Sequence, residues 1–218
     1  MLRVLYEDNH LIAVLKPAGV LTQGDRSGEA SLMEEVKKYL KEKYGKQGNV
    51  FLGLLHRLDR PVAGIVLFAK TSKGASRLSE QIREHRIRKI YHALVCGIPR
   101  EKKGVLFDYL KKDAKHLKAR KAADGVAAEL SYETLRMGRE YSLVRIHLKT
   151  GKFHQIRAQF SLIGCPVAGD VKYGAPKALF GEGIALLETE LSFDTATTGE
   201  RKTISIPIPK EWDALLEK

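Results

Sequence analysis

Several things are scarce in this sequence, and each shortage removes a class of protein. Only two of its 218 residues are cysteines, Cys96 and Cys165, so no disulfide framework can carry the fold. They read as unpaired, largely buried thiols in a reducing compartment. No Cys-x-x-Cys or His-x-x-x-His pair occurs, and the seven histidines are scattered, so no metal site is expected. No apolar run approaches the roughly 18 residues of a membrane span. The opening "MLRVLYEDNH" carries Arg3, Glu7 and Asp8 and lacks the apolar core of a signal peptide. The expectation is a cytoplasmic protein with no membrane partner. Internal repeats, low-complexity linkers and a Gly-rich cofactor loop after a strand are missing as well. Residues 1–218 therefore read as a single domain, long enough to bury a core.

Acidic residues are also in deficit. Twenty-six Asp and Glu stand against 38 Lys and Arg, giving a net charge of +12 and a pI near 9.6. That balance favours a polyanionic partner, because each neutralised phosphate releases condensed counterions. Charge alone names no reaction.

The apolar patterning predicts strands at Val4–Tyr6 and Leu11–Leu15, then a turn at "KPAG", Lys16–Gly19. Ser31 and Glu34 form a capping-box pattern, with Leu32, Val36 and Leu40 at helical spacing behind them. That predicts a helix over 31–44. Ala75, Leu78 and Ile82 mark a second helix, and Tyr91, Ala93 and Val95 alternate along another strand. The basic stretch Lys111–Gly125 reads equally as an exposed hairpin or as a phosphate-contacting arm. Strands are expected over Ala128–Leu135 and Tyr141–Leu148. Ile156, Phe160 and Ile163 then outline a helix stopped by Gly164, with His154, Arg157 and Ser161 on its other face. The tail Lys202–Trp212 reads as an edge strand interrupted by prolines. Strands with a few interspersed helices and no regular βαβ alternation indicate an α+β fold, its sheet mainly antiparallel with flanking helices.

One stretch raises a chemical question. "HRLDRPVAGIVLFAK", His56–Lys70, sets two arginines and an aspartate before the most apolar run in the chain. Ile65–Ala69 reads as a buried strand entered through Pro61 and Gly64. The charged entrance is either a solvated turn or a set of groups held over a site.

Four ordered segments favour the site, because they resemble the RluA-type pseudouridine synthases over nearly the whole chain. "YEDNHLIAVLKPAGV" is similar to that family's opening strand pair and Lys-Pro-x-Gly turn. "HRLDRPVAGIVLFAK" is similar to the segment with its catalytic aspartate, "KIYHALVCG" to its Lys-x-Tyr-x-Ala strand, and "LKTGKFHQIRAQFSLIGCPVAGDVKYG" to its third motif. The resemblance implies an enzyme that converts particular uridines of structured ribosomal or transfer RNA to pseudouridine with neither cofactor nor metal; the sequence does not determine its oligomeric state, and a monomer is the expectation. Asp59 then matches the nucleophile, which must stay ionised in a dry site. Arg157 matches the arginine that pairs with it, and otherwise reads as a surface residue on an amphipathic helix. Tyr91 matches the tyrosine that packs on the flipped uracil and helps move a proton. Arg57 matches the RNA-binding arginine that fills the space the base vacates.

Other residues keep plainer readings. His56 orients its loop, and Lys16 is either a structural turn residue or a phosphate contact. Gly169, Asp170, Tyr173 and Gly174 read as a scaffold turn with its own internal bonds. Two departures from the family pattern stand out. Val62-Ala63 replaces a hydroxyl-bearing pair beside Asp59, and Leu186-Leu187-Glu188 stands where Leu-His-Ala is common. The rival reading is a non-catalytic RNA-binding relative. Retention of Asp59 with Arg57, Tyr91 and Arg157 argues against it, because a carboxylate near phosphates weakens a pure binder.

Overall fold

In the computed structural model, residues 2–25 and 28–217 are described. In chain order they form β1 (Arg3–Glu7), β2 (Leu11–Lys16), α1 (Leu32–Lys43), β3 (Gly53–Leu54), β4 (Ala63–Ala69), α2 (Ser72–Arg83), β5 (Arg88–Cys96) and β6 (Lys103–Asp113). There follow β7 (Lys118–Lys121), β8 (Val126–Met137), β9 (Tyr141–Leu148), α3 (Gln155–Leu162), β10 (Leu186–Asp194), β11 (Arg201–Ser205) and α4 (Asp213–Leu216). The chain divides into two compact units, residues 1–87 with 190–206 and residues 88–189 with 207–218. Among the described residues no helix is long and apolar enough to cross a membrane.

In the first unit β2 pairs with β1 on one side and β4 on the other, all antiparallel, and β3 adds to β4. The C-terminal half of β10 pairs with β11, from Glu190 opposite Ser205 to Asp194 opposite Arg201. Leu11–Val14 and Ile65–Ala69 are wholly buried, which is why both stretches read as unbroken apolar runs rather than alternating ones. Leu11, Ala13, Ile65, Leu67 and Ala69 share one cluster with Leu78 of α2 and Leu191 and Phe193 of β10. Each large side chain buried there contributes about 1.5–3 kcal/mol. The capping box of α1 forms as expected: the Ser31 amide donates to Glu34, and the Glu34 amide to the Ser31 hydroxyl. Leu32, Val36 and Leu40 are its buried face. Gly74 lets α2 approach β2 closely, since a Cβ there would lie 2.6 Å from the His10 carbonyl oxygen.

In the second unit β5, β9, β8, β6 and β7 form a run of antiparallel neighbours. Residues 186–189 of β10 and the short α4 also belong to this unit. Ala158 of α3 packs with Leu110, Ala119, Ala128 and Tyr173. The basic stretch 111–125 is a hairpin, the end of β6 turning into β7.

Several features depart from the sequence reading. β6 begins at Lys103, where no strand was expected, because its pattern is inverted. Val105, Phe107 and Tyr109 face outward while polar Asp108 sits inside and accepts from the Gln159 side-chain amide at 3.0 Å. In α3, Gln155 through Phe160 are buried all round, so the helix is not amphipathic and Arg157 is not a surface residue. The terminal edge strand β11 forms, but stops at Ser205 ahead of Pro207.

Candidate active site

Asp59 sits in the first unit on the loop that leads into β4. A turn closed by Val62 N–H donating to the Asp59 carbonyl at 3.0 Å reverses the chain. Gly64 then takes φ +140°, a conformation open to glycine. The loop is pinned from outside itself. Thr22 donates its hydroxyl to the Leu58 carbonyl at 2.8 Å and accepts from the Leu58 amide at 3.3 Å. The Lys16–Gly19 turn meets the other side: Gly19 N–H donates to the Arg60 carbonyl at 2.9 Å, and Arg60 Nε returns a bond to the Gly19 carbonyl at 2.9 Å. His56 Nε2 accepts from the Leu67 amide at 3.1 Å, so it ties the loop to β4 as expected. Flanked by these anchors, Asp59 is half-buried and Arg57 is exposed.

Lys16 resolves in favour of structure. Its side chain is wholly buried, and Nζ donates to the Pro17 and Arg60 carbonyls, both at 3.0 Å. Burial pulls its pKa down to about 8, the Asp59 carboxylate pushes it back up, and Arg60 adds to the depression. Lys16 is therefore a cation placed beneath the Asp59 loop by the strand that carries it. In water the same pair would be screened; in a low-dielectric interior it is not.

The second unit holds Tyr91 and Arg157. Arg157 makes a two-pronged contact with Asp170, Nε to Oδ2 at 2.7 Å and Nη2 to Oδ1 at 2.9 Å, with side chains only 4% and 2% exposed. Its guanidinium lies 5.0 Å from the Tyr173 ring centroid. Such a fork fixes the plane of the guanidinium as well as its place. The Tyr173 hydroxyl accepts from the Ala119 amide at 2.6 Å and lies 2.9 Å from His154 Nδ1. His154 is neutral there, so which of the two donates follows the imidazole tautomer. Burial first, then the charges of Arg157 and Lys172, hold His154 down at about 3, against an upward pull from Asp170.

Tyr91 is buried on β5, and its hydroxyl donates to Glu188 Oε2 at 2.7 Å. Glu188 is itself fully buried on β10. Burial pushes its carboxyl up to about 7, with Lys89 and the Tyr91 bond opposing. Chain segments on either side of the pair are stitched together: Leu94 N–H donates to the Ala185 carbonyl at 3.0 Å, and His92 Nδ1 lies 2.8 Å from the Thr189 hydroxyl.

Of the four residues singled out from the sequence, Arg57 and Asp59 share the first unit, and Tyr91 and Arg157 share the second. Asp170 does more than the scaffold turn expected of it. Its backbone makes the turn, donating to Val167 and accepting from Tyr173 and Ala175, while its carboxylate holds Arg157. Thr22 and Glu188 were not anticipated. Thr22 leaves no signal in a sequence, but Glu188 does: it is an acid inside the apolar strand "LLETELSF". Among the described residues no three His, Cys, Asp or Glu side chains gather as a metal site.

Comparison with known proteins bears on all of this. Residues 10–162 match the family model described as RNA pseudouridylate synthase. The chain is 30% identical over 220 residues to an uncharacterized RNA pseudouridine synthase of Bacillus subtilis, across 99% of this chain and 72% of that protein. It is 31% identical over 238 residues to tRNA pseudouridine synthase C of Haemophilus ducreyi, across 100% and 95%. It is 34% identical over 177 residues to ribosomal large subunit pseudouridine synthase C of Rickettsia prowazekii, across 78% and 56%. Among solved structures, human RNA pseudouridylate synthase domain containing 4 matches with a TM-score of 0.79 at 22% identity, over 97% of this chain and 90% of that one.

Proposed function

The chain belongs to the RluA-type family of RNA pseudouridine synthases, and from that premise we propose that it isomerises uridines of structured ribosomal or transfer RNA with Asp59 as its working carboxylate. Its free thiols Cys96 and Cys165 fit work in a reducing compartment, the cytoplasm. The observation that carries the reading is the family match over residues 10–162, which takes in Arg57, Asp59, Tyr91 and Arg157 together. The anchoring of the Asp59 loop by Lys16 and Thr22 supports it, because a reacting group must be held in place.

The reaction moves the glycosidic bond of uridine from N1 to C5. C1′–N1 breaks, the uracil turns, C1′–C5 forms, C5 loses its proton and N1 gains one. A stacked uridine cannot reach a protein carboxylate, so the base leaves the stack first. Arg57, exposed two residues before Asp59, takes the vacated place with its planar guanidinium. Asp59 attacks or stabilises the sugar or base as the bond breaks, in the manner of covalent catalysis. By resemblance Arg157 stands in the place of the family's aspartate-pairing arginine, and Tyr91 packs on the uracil.

The test is Asp59→Asn, assayed for pseudouridine formation and RNA binding. Isomerisation should vanish while RNA affinity stays within about tenfold, or about 1.4 kcal/mol. Substantial turnover by the Asn variant would sink the assignment. Mapping pseudouridine in tRNA and rRNA with and without the gene identifies the substrate.

A further inference from the structure

We infer that Glu188 is a positioning residue for the reaction, a buried carboxylate that fixes the Tyr91 hydroxyl and accepts its proton when the phenol oxygen removes the proton from C5. The inference rests on the proposed role of Tyr91 and deepens it. Its basis is geometric. Tyr91 Oη donates to Glu188 Oε2 at 2.7 Å between side chains that are 5% and 0% exposed. β5 and residues 185–189 are held alongside one another by the Leu94–Ala185 and His92–Thr189 contacts. Thr189 also donates to the Ile90 carbonyl at 3.2 Å. The phenol proton is therefore aimed at Glu188.

The chemistry asks for such a partner. A phenol has a pKa near 10, so at neutral pH Tyr91 carries its proton and its oxygen is a weak base. It can take a proton from C5 only as its own proton leaves. Along the Tyr91–Glu188 bond the steps balance. The C5–H bond breaks and its electron pair enters the ring, restoring the C5=C6 double bond, while N1 takes up a proton. The C5 proton goes to Tyr91 Oη and the phenol proton to Glu188 Oε2; once the product leaves, Tyr91 Oη passes a proton to water and takes its own back from Glu188. A group that accepts and releases a proton in this way works best with a pKa near the operating pH. Burial brings Glu188 to about 7, and the groups of its unit that oppose the rise, Lys89 and Tyr91, both lie on β5.

Glu188→Gln tests it, because the amide oxygen can still accept the phenol bond but cannot take the proton. The probe is total RNA from cells lacking the gene, labelled with tritium at C5 of uracil, and the readout is single-turnover tritium release from pH 5.5 to 8.5. The wild-type rate should climb through about pH 7, and Glu188→Gln should fall about a hundredfold and lose that climb. Glu188→Asp, a shortened carboxylate, should recover part of both. Thermal melts of each variant separate loss of fold from loss of proton transfer. If Tyr91→Phe is inactive while Glu188→Gln keeps the wild-type rate and pH profile, the inference is wrong and the reading of Tyr91 stands. If Tyr91→Phe keeps the wild-type rate, the reading of Tyr91 fails and takes the inference with it.

Discussion

Removing the Asp170 carboxylate should leave Arg157 charged, buried and deprived of its fork, which makes Asp170→Ala the sharpest test of the second unit. Two charge-assisted hydrogen bonds at 2.7 and 2.9 Å are lost between side chains exposed by 4% and 2%. Breaking a buried ion pair from one side costs about 3–5 kcal/mol, far more than the pair itself is worth against an apolar substitute. Taking a urea m-value of about 2.5 kcal/mol per molar, the denaturation midpoint should fall by about 1–2 M. Trp212, the only tryptophan, is buried in the same unit, so its fluorescence reads the unfolding of that unit directly. Asp170→Asn keeps the shape and one acceptor and should cost less. The double variant Arg157→Ala/Asp170→Ala should recover stability relative to the sum of the singles, giving a large coupling energy. Catalysis follows the same logic: with its guanidinium no longer held, Arg157 should support a much slower bound-state rate at nearly unchanged RNA affinity. A midpoint shift below about 0.3 M for Asp170→Ala would refute the reasoning, since it would give the fork the worth of a surface pair.

Two other expectations concern the frame around the site. Thr22→Val should strip both side-chain bonds from the Leu58 backbone, at about 1–3 kcal/mol, and slow turnover more than it weakens RNA binding; unchanged amide exchange at Leu58 would show that the loop does not depend on Thr22. His154 gives a pH dependence of definite sign. Its folded pKa, about 3, lies below its unfolded value near 6.5, so the unfolded chain binds the extra proton first. Its contribution is fully present above about pH 6.5 and is lost as pH falls toward 3. The urea midpoint followed by Trp212 should therefore drop less between pH 7 and pH 5 in His154→Gln than in the wild type, and parallel slopes would exclude His154 as a source of acid sensitivity.

Local chemistry was legible wherever a few neighbouring residues decide the outcome. Ser31 and Glu34 set the start of α1 by bonding to each other's backbone across one turn. The run Ile65–Ala69 could only be a buried strand, and Pro61 and Gly64 could only be its entrance. The order of the four motifs, with Asp59, Tyr91 and Arg157 inside them, was sufficient to name the family and the reaction. Periodicity failed where burial ran against type. β6 turns Val105, Phe107 and Tyr109 to solvent, and six consecutive residues of α3, Gln155–Phe160, are buried, so neither carries the expected stripe.

The partners of the candidate site residues and their anchors were decided by tertiary structure alone. Lys16 reaches the Arg60 carbonyl across 44 residues, Thr22 holds Leu58 across 36, and Tyr91 meets Glu188 across 97. Nothing local specifies such contacts, because each depends on which strands become neighbours and in what register. A buried polar group must find a partner or bear the full cost of leaving water, and only the folded chain determines which partner it finds. For Arg157 that partner within its unit is Asp170, and for the Tyr91 hydroxyl it is a carboxylate that in the sequence is one acid among 26.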